Sequence, residues 1–369
     1  MSSASHSAAR VDLRQAIYRC LIGIGLAVLA VTQILQTDTP DFAQDYAAAW
    51  AWWEGRPLQT RTQELLDDCW PEHGYGKLQS VRQPHPPPAT LLALPLARLP
   101  FPVARLLWCG LSLIAIVVAW QLVGASVPTC LATVPIWCIA LVLGTHEPLL
   151  FVSIALAVVL LPGAPVLAGM ALGLSIAIKA YPAVLCLGLV LTRRWRSLWV
   201  TLATCLLLFA VAELVLGRGA TFLWLRYTGE NTAHYVLSSQ NGSLVRFVHS
   251  AIALPPAAIA LALTAVLVWP LRSKIDAADP LRPLLPVTLL VSPISWRHYM
   301  GLTGLLALGR FQQACLFLAG TLALLPSMRI SGPMPELFVQ VPLVVVLLLE
   351  WARSIFGART SAAGRVASL

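Results

Sequence analysis

Charge is what this sequence has least of: 11% of its 369 residues are Asp, Glu, Lys or Arg, while 58% are hydrophobic. A soluble domain carries about 25% charged residues, so the composition excludes that class and indicates a polytopic membrane protein. Lysine occurs three times against 22 arginines, and no charge falls between residues 148 and 178. The net charge of +9 comes from arginines at the ends of apolar runs, as at cytoplasmic helix ends. No basic stretch is interleaved with aromatics in a soluble segment, so nucleic acid is not an expected partner. A glycine-rich GxxxxGK[ST] phosphate loop is absent, and with it the need for a nucleotide. So is the internal repeat of a transporter. The eight cysteines, all but Cys69 in or beside apolar runs, form no CxxC pair and read as small buried hydrophobes. Arg10, Arg14 and Arg19 precede an apolar run at 20–34, but no small-x-small cleavage signal follows. This is an uncleaved first span with a cytoplasmic N-terminus.

What is present is an all-α pattern: one integral membrane domain over 1–369, a transmembrane bundle of about twelve spans. With about 20 residues needed per crossing, and fewer where a helix is buried among others, they run at 16–36, 103–124, 127–143, 147–161, 165–179, 181–192, 197–216, 250–271, 283–296, 298–309, 311–327 and 337–352. Two polar loops interrupt them. The first, 37–99, holds eight acids between 38 and 72. The proline run Pro84-His85-Pro86-Pro87-Pro88 then stiffens it as polyproline II, and a short helix at 89–99 is placed in the outer interface. The second loop is 217–248. From a cytoplasmic N-terminus, the polar motifs at Asp41, His85, His146, Lys179, Asn241 and His298 all reach the outer face. Arg193, Arg272, Lys274, Arg282 and the tail from Arg353 stay inside. Were 89–99 a crossing, Arg193, Arg194 and Arg196 would move outside, against the positive-inside tendency.

The first loop opens with Thr39-Pro40-Asp41, continues through Asp45 and Tyr46 to Trp50, Trp52 and Trp53, and ends at Gly55. Pro40 and Gly55 bracket a helix of about four turns. Asp41 and Asp45, four apart, share one face of it, and the tryptophans suggest that it lies on the bilayer surface. Asp41 also fits a plain first-turn acid on the helix dipole, but Asp45 lies beyond that turn. Lys179, closing the charge-free stretch before Tyr181-Pro182, reads either as a functional cation at membrane depth or as a lysine snorkelling to the interface. Arg297-His298-Tyr299, where two apolar runs meet, suits an anionic ligand, since Arg grips phosphate bidentately and an imidazole donates to or protonates its oxygen; an interfacial anchor is the other reading. His85 and His146-Glu147 either line the same cavity or are loop polar groups. A His-Glu pair alone is no metal site, which needs three or four ligands, so no metal or other cofactor is expected. Asn241-Gly242-Ser243 matches a glycosylation sequon, discounted because the Arg- and Ala-rich composition looks bacterial.

Five motifs in this order resemble glycosyltransferase family 87, integral membrane transferases of the GT-C superfamily that includes bacterial polyprenyl-phosphate-mannose α-1,2-mannosyltransferases. They are Asp41-Phe42 through Tyr46-Ala47-Ala48 to Gly55-Arg56-Pro57-Leu58; His85-Pro86-Pro87 with Leu94-Pro95-Leu96-Ala97; Lys179-Ala180-Tyr181-Pro182 with Arg193-Arg194-Trp195; Asn241-Gly242-Ser243-Leu244; and Ser292-Pro293-Ile294-Ser295-Trp296 with His298-Tyr299. The resemblance implies a polyprenyl-phosphate sugar donor, a lipid or glycan acceptor, reaction at the outer face of the bacterial inner membrane among membrane lipids, and inversion at the anomeric carbon. Asp41 would be the general base and His298 would act on the donor phosphate. Asp45 stands where many relatives carry an aromatic or apolar residue, so either acid fits the base. Gly144-Thr145-His146-Glu147 replaces the Gly-Gln and Asn that relatives often have. Lys179, Arg297 and His85 are the candidates for the phosphate, and Tyr46, His146, Glu147, Tyr181, Asn241 and Tyr299 for the sugar or acceptor. Two rivals without the chemistry are a flippase or transporter of an anionic lipid and a non-catalytic envelope-assembly subunit.

Overall fold

The structure is a computed structural model that describes residues 13–34, 40–57, 60–70, 83–238, 240–324 and 333–356, the last segment with side chains from Val339 on. Much of the expected first loop, notably 71–82, Leu58 and Glu72, lies outside the described residues, as does Arg10.

Every described element is a helix, and the chain runs up and down between two ends. From the first end, α1 (Leu13–Ile34) leads to a group of short helices, α2 (Pro40–Trp53), α3 (Thr62–Cys69) and α4 (Pro87–Ala93). Next, α5 (Phe101–Leu122) returns and α6 (Val127–Leu143) goes back. A hairpin follows, α7 (Glu147–Leu160) and α8 (Pro165–Ile178), turned by Pro162-Gly163-Ala164. A 3-10 turn at Tyr181–Leu185 and α9 (Cys186–Leu191) descend, and α10 (Trp195–Leu216) climbs to α11 (Ala220–Val236) and α12 (Leu244–Ile252). The remaining helices are α13 (Pro256–Val268), α14 (Leu285–Val291), a 3-10 segment Arg297–Leu305, α15 (Arg310–Leu324) and α16 (Pro333–Phe356). Prolines mark the starts: Pro102, Pro128, Pro148, Pro165 and Pro256 sit in first turns, where a missing N–H costs nothing.

Long-range contacts show which motifs share an end. At the arginine-rich end, buried Arg19 donates from Nε to the Ala125 carbonyl at 2.7 Å and from Nη1 to Gln121 at 2.9 Å. There too Arg194 reaches the Ala277 carbonyl at 2.9 Å, Gln313 reaches Thr129 at 3.2 Å and Arg353 reaches the Ala307 carbonyl. The opposite end gathers Asp45, His146, Glu147, Lys179, Asn241 and Trp296.

Among the described residues four helices, α1, α5, α10 and the 339–356 part of α16, are long and apolar enough to cross a bilayer, and six further apolar stretches are shorter. Several expectations change. The stretches 283–296 and 298–309 are not two crossings: α14 has seven residues, all buried, and after a break the chain continues as the buried 3-10 segment. Seven residues rise about 10 Å against a hydrocarbon core of about 30 Å, and such broken backbone survives at depth only inside protein. Gly301 permits it, since a Cβ there would stand 2.7 Å from the Trp137 ring. The polar loop 217–248 is largely α11, capped by Glu213, which accepts from Gly219 N and Thr221 N at 2.6 and 2.5 Å. The segment 89–99 is the end of α4 plus the 3-10 turn Leu96–Arg98. Helix α2 is covered by protein along much of its length: residues 42–49 are all buried, packed on α3, α4 and α5, while Trp53 at its end is exposed. Phe42 stacks on Phe101 and Trp108 at 5.9 and 5.1 Å between centroids, and burying one such ring contributes about 1.5–3 kcal/mol. The tryptophans commit their N–H groups to the protein, Trp52 to the Val215 carbonyl at 2.7 Å and Trp53 to the Leu94 carbonyl at 2.9 Å.

Candidate functional site

Helices α7 and α8 have 14 residues each, so an antiparallel hairpin returns the residue after α8 to the residue that starts α7. Lys179 Nζ accordingly donates to Glu147 Oε1 at 2.6 Å, with both side chains buried. Each charge suits its helix end, a carboxylate at an N-terminus and a cation at a C-terminus. Lys179 also donates to the Tyr299 hydroxyl at 3.3 Å and lies 4.5 Å from the centre of that ring, which stacks on Tyr181 at 4.8 Å. His298 Nε2 lies 3.7 Å from Glu147 Oε2, too long for a hydrogen bond.

Helix α2 is docked onto this group through Gly144, which ends α6 at φ 72°. A Cβ at Gly144 would stand 2.5 Å from Phe42 Cβ, so both the left-handed backbone and the close approach need glycine. The loop is fastened by Trp108 Nε1, which donates to the Gly144 carbonyl at 2.9 Å. Asp45 then meets His85 Nδ1 at 3.0 and 3.1 Å, the Gln83 amide at 2.5 Å and His146 Nε2 at 3.5 Å. The rings of His85 and His146 are edge-on at 4.8 Å. Asp45, His85 and His146 offer ligand atoms that all lie within 4.8 Å of one another.

Asp41, one turn before Asp45, is partly buried and makes no hydrogen bond among the described residues; it feels the charges of Lys179, His85, Glu147 and Asp45. Burial pushes its carboxyl up to about 6, with Lys179 and His85 pulling the other way. For Asp45 burial also pushes upward, but the charges of His85 and His146 and the hydrogen bonds from His85 and Gln83 outweigh it and hold the carboxyl below its ordinary value. Two acids on one helix thus differ: Asp45 is clamped and ionised, and Asp41 is free to take a proton near neutral pH.

The sequence model of glycosyltransferase family 87 matches residues 84–293, more than half of the chain. The chain belongs to glycosyltransferase family 87. No curated protein and no solved structure matches it. The match takes in His85, His146, Glu147, Lys179 and Asn241; it begins after Asp41 and Asp45 and stops short of Arg297 and His298.

Of the candidates read from sequence, this family 87 glycosyltransferase brings Asp41, Asp45, His85, His146, Glu147, Lys179, Tyr181, His298 and Tyr299 into one cluster. Arg297 is half-buried beside His298. Tyr46 faces away into the apolar layer, its hydroxyl donating to the Leu99 carbonyl at 2.7 Å and its ring edge-on to Phe101. Asn241 is spent on backbone: Nδ2 donates to the Val236 and Pro293 carbonyls at 3.0 and 2.8 Å, while Oδ1 accepts from Ser243 N and Ser295 N at 3.1 and 2.9 Å. The Asn241-Gly242-Ser243 motif is therefore a clasp that holds the 292–296 break in place, and its asparagine is fully buried. Sequence reasoning missed Gln83 and Trp108, and also Tyr235, which lies within electrostatic reach of Asp41. Only Gln83 carried a signal, its position beside Pro84-His85.

Proposed function

We propose that this glycosyltransferase is an inverting enzyme of the bacterial inner membrane. It moves mannose, or another hexose or pentose, from a polyprenyl-phosphate donor to a lipid or glycan acceptor at the outer face. The observation that carries this reading is the unbonded Asp41 carboxylate held beside the buried group of Lys179, Glu147, His298 and Tyr299.

In a single displacement Asp41 takes the proton of the acceptor hydroxyl as its oxygen attacks the anomeric carbon. The bond from that carbon to the phosphate oxygen breaks, its electron pair leaves on the phosphate, and the configuration inverts. Negative charge grows on the leaving phosphate, so the catalyst needs donors and cations there and a carboxylate on the acceptor side. Lys179, His298 and Arg297 serve the first need and Asp41 the second. Asp45 is the poorer base because His85 and Gln83 already occupy its oxygens; its part is to hold His85. Tyr181 and Tyr299, stacked beside Lys179, offer a surface for the sugar.

The test is transfer by the purified chain in nanodiscs, supplied with a panel of synthetic polyprenyl-phosphate sugars and envelope lipid extract as acceptor. We expect a product enlarged by one sugar, and a loss of about 10² to 10⁴-fold for Asp41→Asn, the span that general base catalysis supplies. Movement of labelled donor across the bilayer without product would replace the transferase by the flippase reading. Full activity in Asp41→Asn with loss in Asp45→Asn would move the base to Asp45.

A further inference from the structure

We propose that Asp45, His85 and His146 form a binding site for a divalent metal ion of borderline softness, zinc foremost, at the edge of the transferase site. Two imidazoles and one carboxylate are the protein ligands of catalytic zinc sites that keep a fourth position open. The spacing fits. Ligands about 2.0–2.1 Å from a tetrahedral ion stand about 3.3 Å from one another, and Asp45 Oδ2 lies 3.0 Å from His85 Nδ1 and 3.5 Å from His146 Nε2. Asp45 Oδ1 is meanwhile anchored by Gln83, the kind of outer hydrogen bond that orients a ligating carboxylate.

The independent observation is His146. It is 0% exposed, and neither ring nitrogen has a hydrogen-bond partner among the described residues. A buried imidazole that uses neither nitrogen is an exception needing an explanation. A hydrogen-bonded pair of Asp45 and His85 alone leaves it unexplained, whereas a metal at Nε2 supplies the missing partner. Rings on two sides hold the imidazole in place, Trp108 at 5.3 Å and His85 at 4.8 Å. His85 keeps 12% of its side chain exposed, which leaves the ion a way in. Sequence spacing could not reveal the site, because the three ligands come from α2, the proline run and the loop before α7.

What the ion would do rests on the transferase reading above. The cluster holds three carboxylates, Asp41, Asp45 and Glu147, and its lysine is already paired with Glu147. A divalent ion offsets that surplus and sets a fixed positive charge beside the donor phosphate.

The experiment uses the full chain in nanodiscs, dialysed against chelator and then titrated with ZnCl2 or CoCl2. We expect one zinc per chain by elemental mass spectrometry, and visible Co2+ absorption of a four- or five-coordinate nitrogen and oxygen site. Asp45→Asn and His146→Gln should abolish both signals. Because His146 is buried and its variant can misfold, His85→Gln at the more accessible ligand is the second variant, with affinity reduced at least about tenfold. Asp41→Asn should keep its zinc while losing transfer. No zinc above an unrelated membrane protein, or unchanged zinc in Asp45→Asn and His85→Gln, overturns the site. Full transfer by the chelated chain overturns the role at the phosphate while the site stands. Zinc binding without transfer from any donor overturns the transferase reading instead.

Discussion

Lys179→Met and Glu147→Gln, singly and together, test the closure of the α7–α8 hairpin. Either single change leaves a buried charge without its partner at 2.6 Å, and breaking a buried pair from one side costs about 3–5 kcal/mol. The double variant buries two neutral groups of similar volume, which is often close to neutral; the lost bond to Tyr299 leaves a cost of about 1 kcal/mol. The singles should therefore lose about 3–5 kcal/mol each and the double about 1, a coupling of several kcal/mol where independent sites add within about 0.5. Tryptophan fluorescence during SDS titration in mixed micelles reads this, the chain carrying 13 tryptophans. The double variant should be nearly as stable as the native chain yet inactive. Additive losses would refute the argument, because the ends of the two helices would then not meet.

Three further outcomes follow from the same geometry. With its carboxyl pushed up to about 6, Asp41 must be ionised to act, so transfer should fall about tenfold per unit below pH 6 and level off above it; a rate constant from pH 5 to 7 would contradict the assignment. Folding raises this pKa, so the ionised carboxylate opposes folding and stability rises as pH falls from about 6 towards 4, which predicts that inactive Asp41→Asn is at least as stable as the native chain at pH 7. Asn241→Ala strips four backbone groups of their partner and should cost on the order of 3 kcal/mol, seen as a lower unfolding midpoint, whereas a residue that only contacts substrate would raise KM without moving it.

Hydropathy was a good guide where one helix answers to one apolar run. The runs 127–143, 147–161 and 165–179 match α6, α7 and α8 to within one residue, because proline, glycine or a charge punctuates each end. It failed where tertiary packing decides. Both 283–296 and 298–309 are apolar enough to look like spans, but Ser292-Pro293 stops α14, and the glycines at 301 and 304 let the next segment run tightly against Trp137 and Phe151. The tryptophans of α2 combine two roles, since an indole suited to an interface can also aim its N–H at a carbonyl, as the partly exposed Trp52 and Trp53 do. Within the site, charged residues at span ends could be named from sequence, since their burial is costly. Their pairing could not, because Asp45 and His146 meet only once Gly144 admits Phe42.

The mismatch between helix length and bilayer thickness accounts for where the chemistry sits. Helices of 14 residues reach about 21 Å, some 9 Å short of the hydrocarbon core. Both α7 and α8 share the turn at residues 161–164 near the arginine-rich end, so the deficit of both falls at the other end, where Glu147 and Lys179 terminate them. Helix α14 is shorter still, and its missing turns bring the 292–296 break and then His298 to the same level. Polar ends below the surface need a roof, and α2 and α4 provide it: α2 buries residues 42–49 over the loop before α7, and α4 carries the chain from His85 back to α5. Asp41, at the first turn of that roof, stays partly exposed. The charge-free run from 148 to 178, too long for one span and too short for two full ones, is therefore the part of the sequence that already brings Glu147 and Lys179 together.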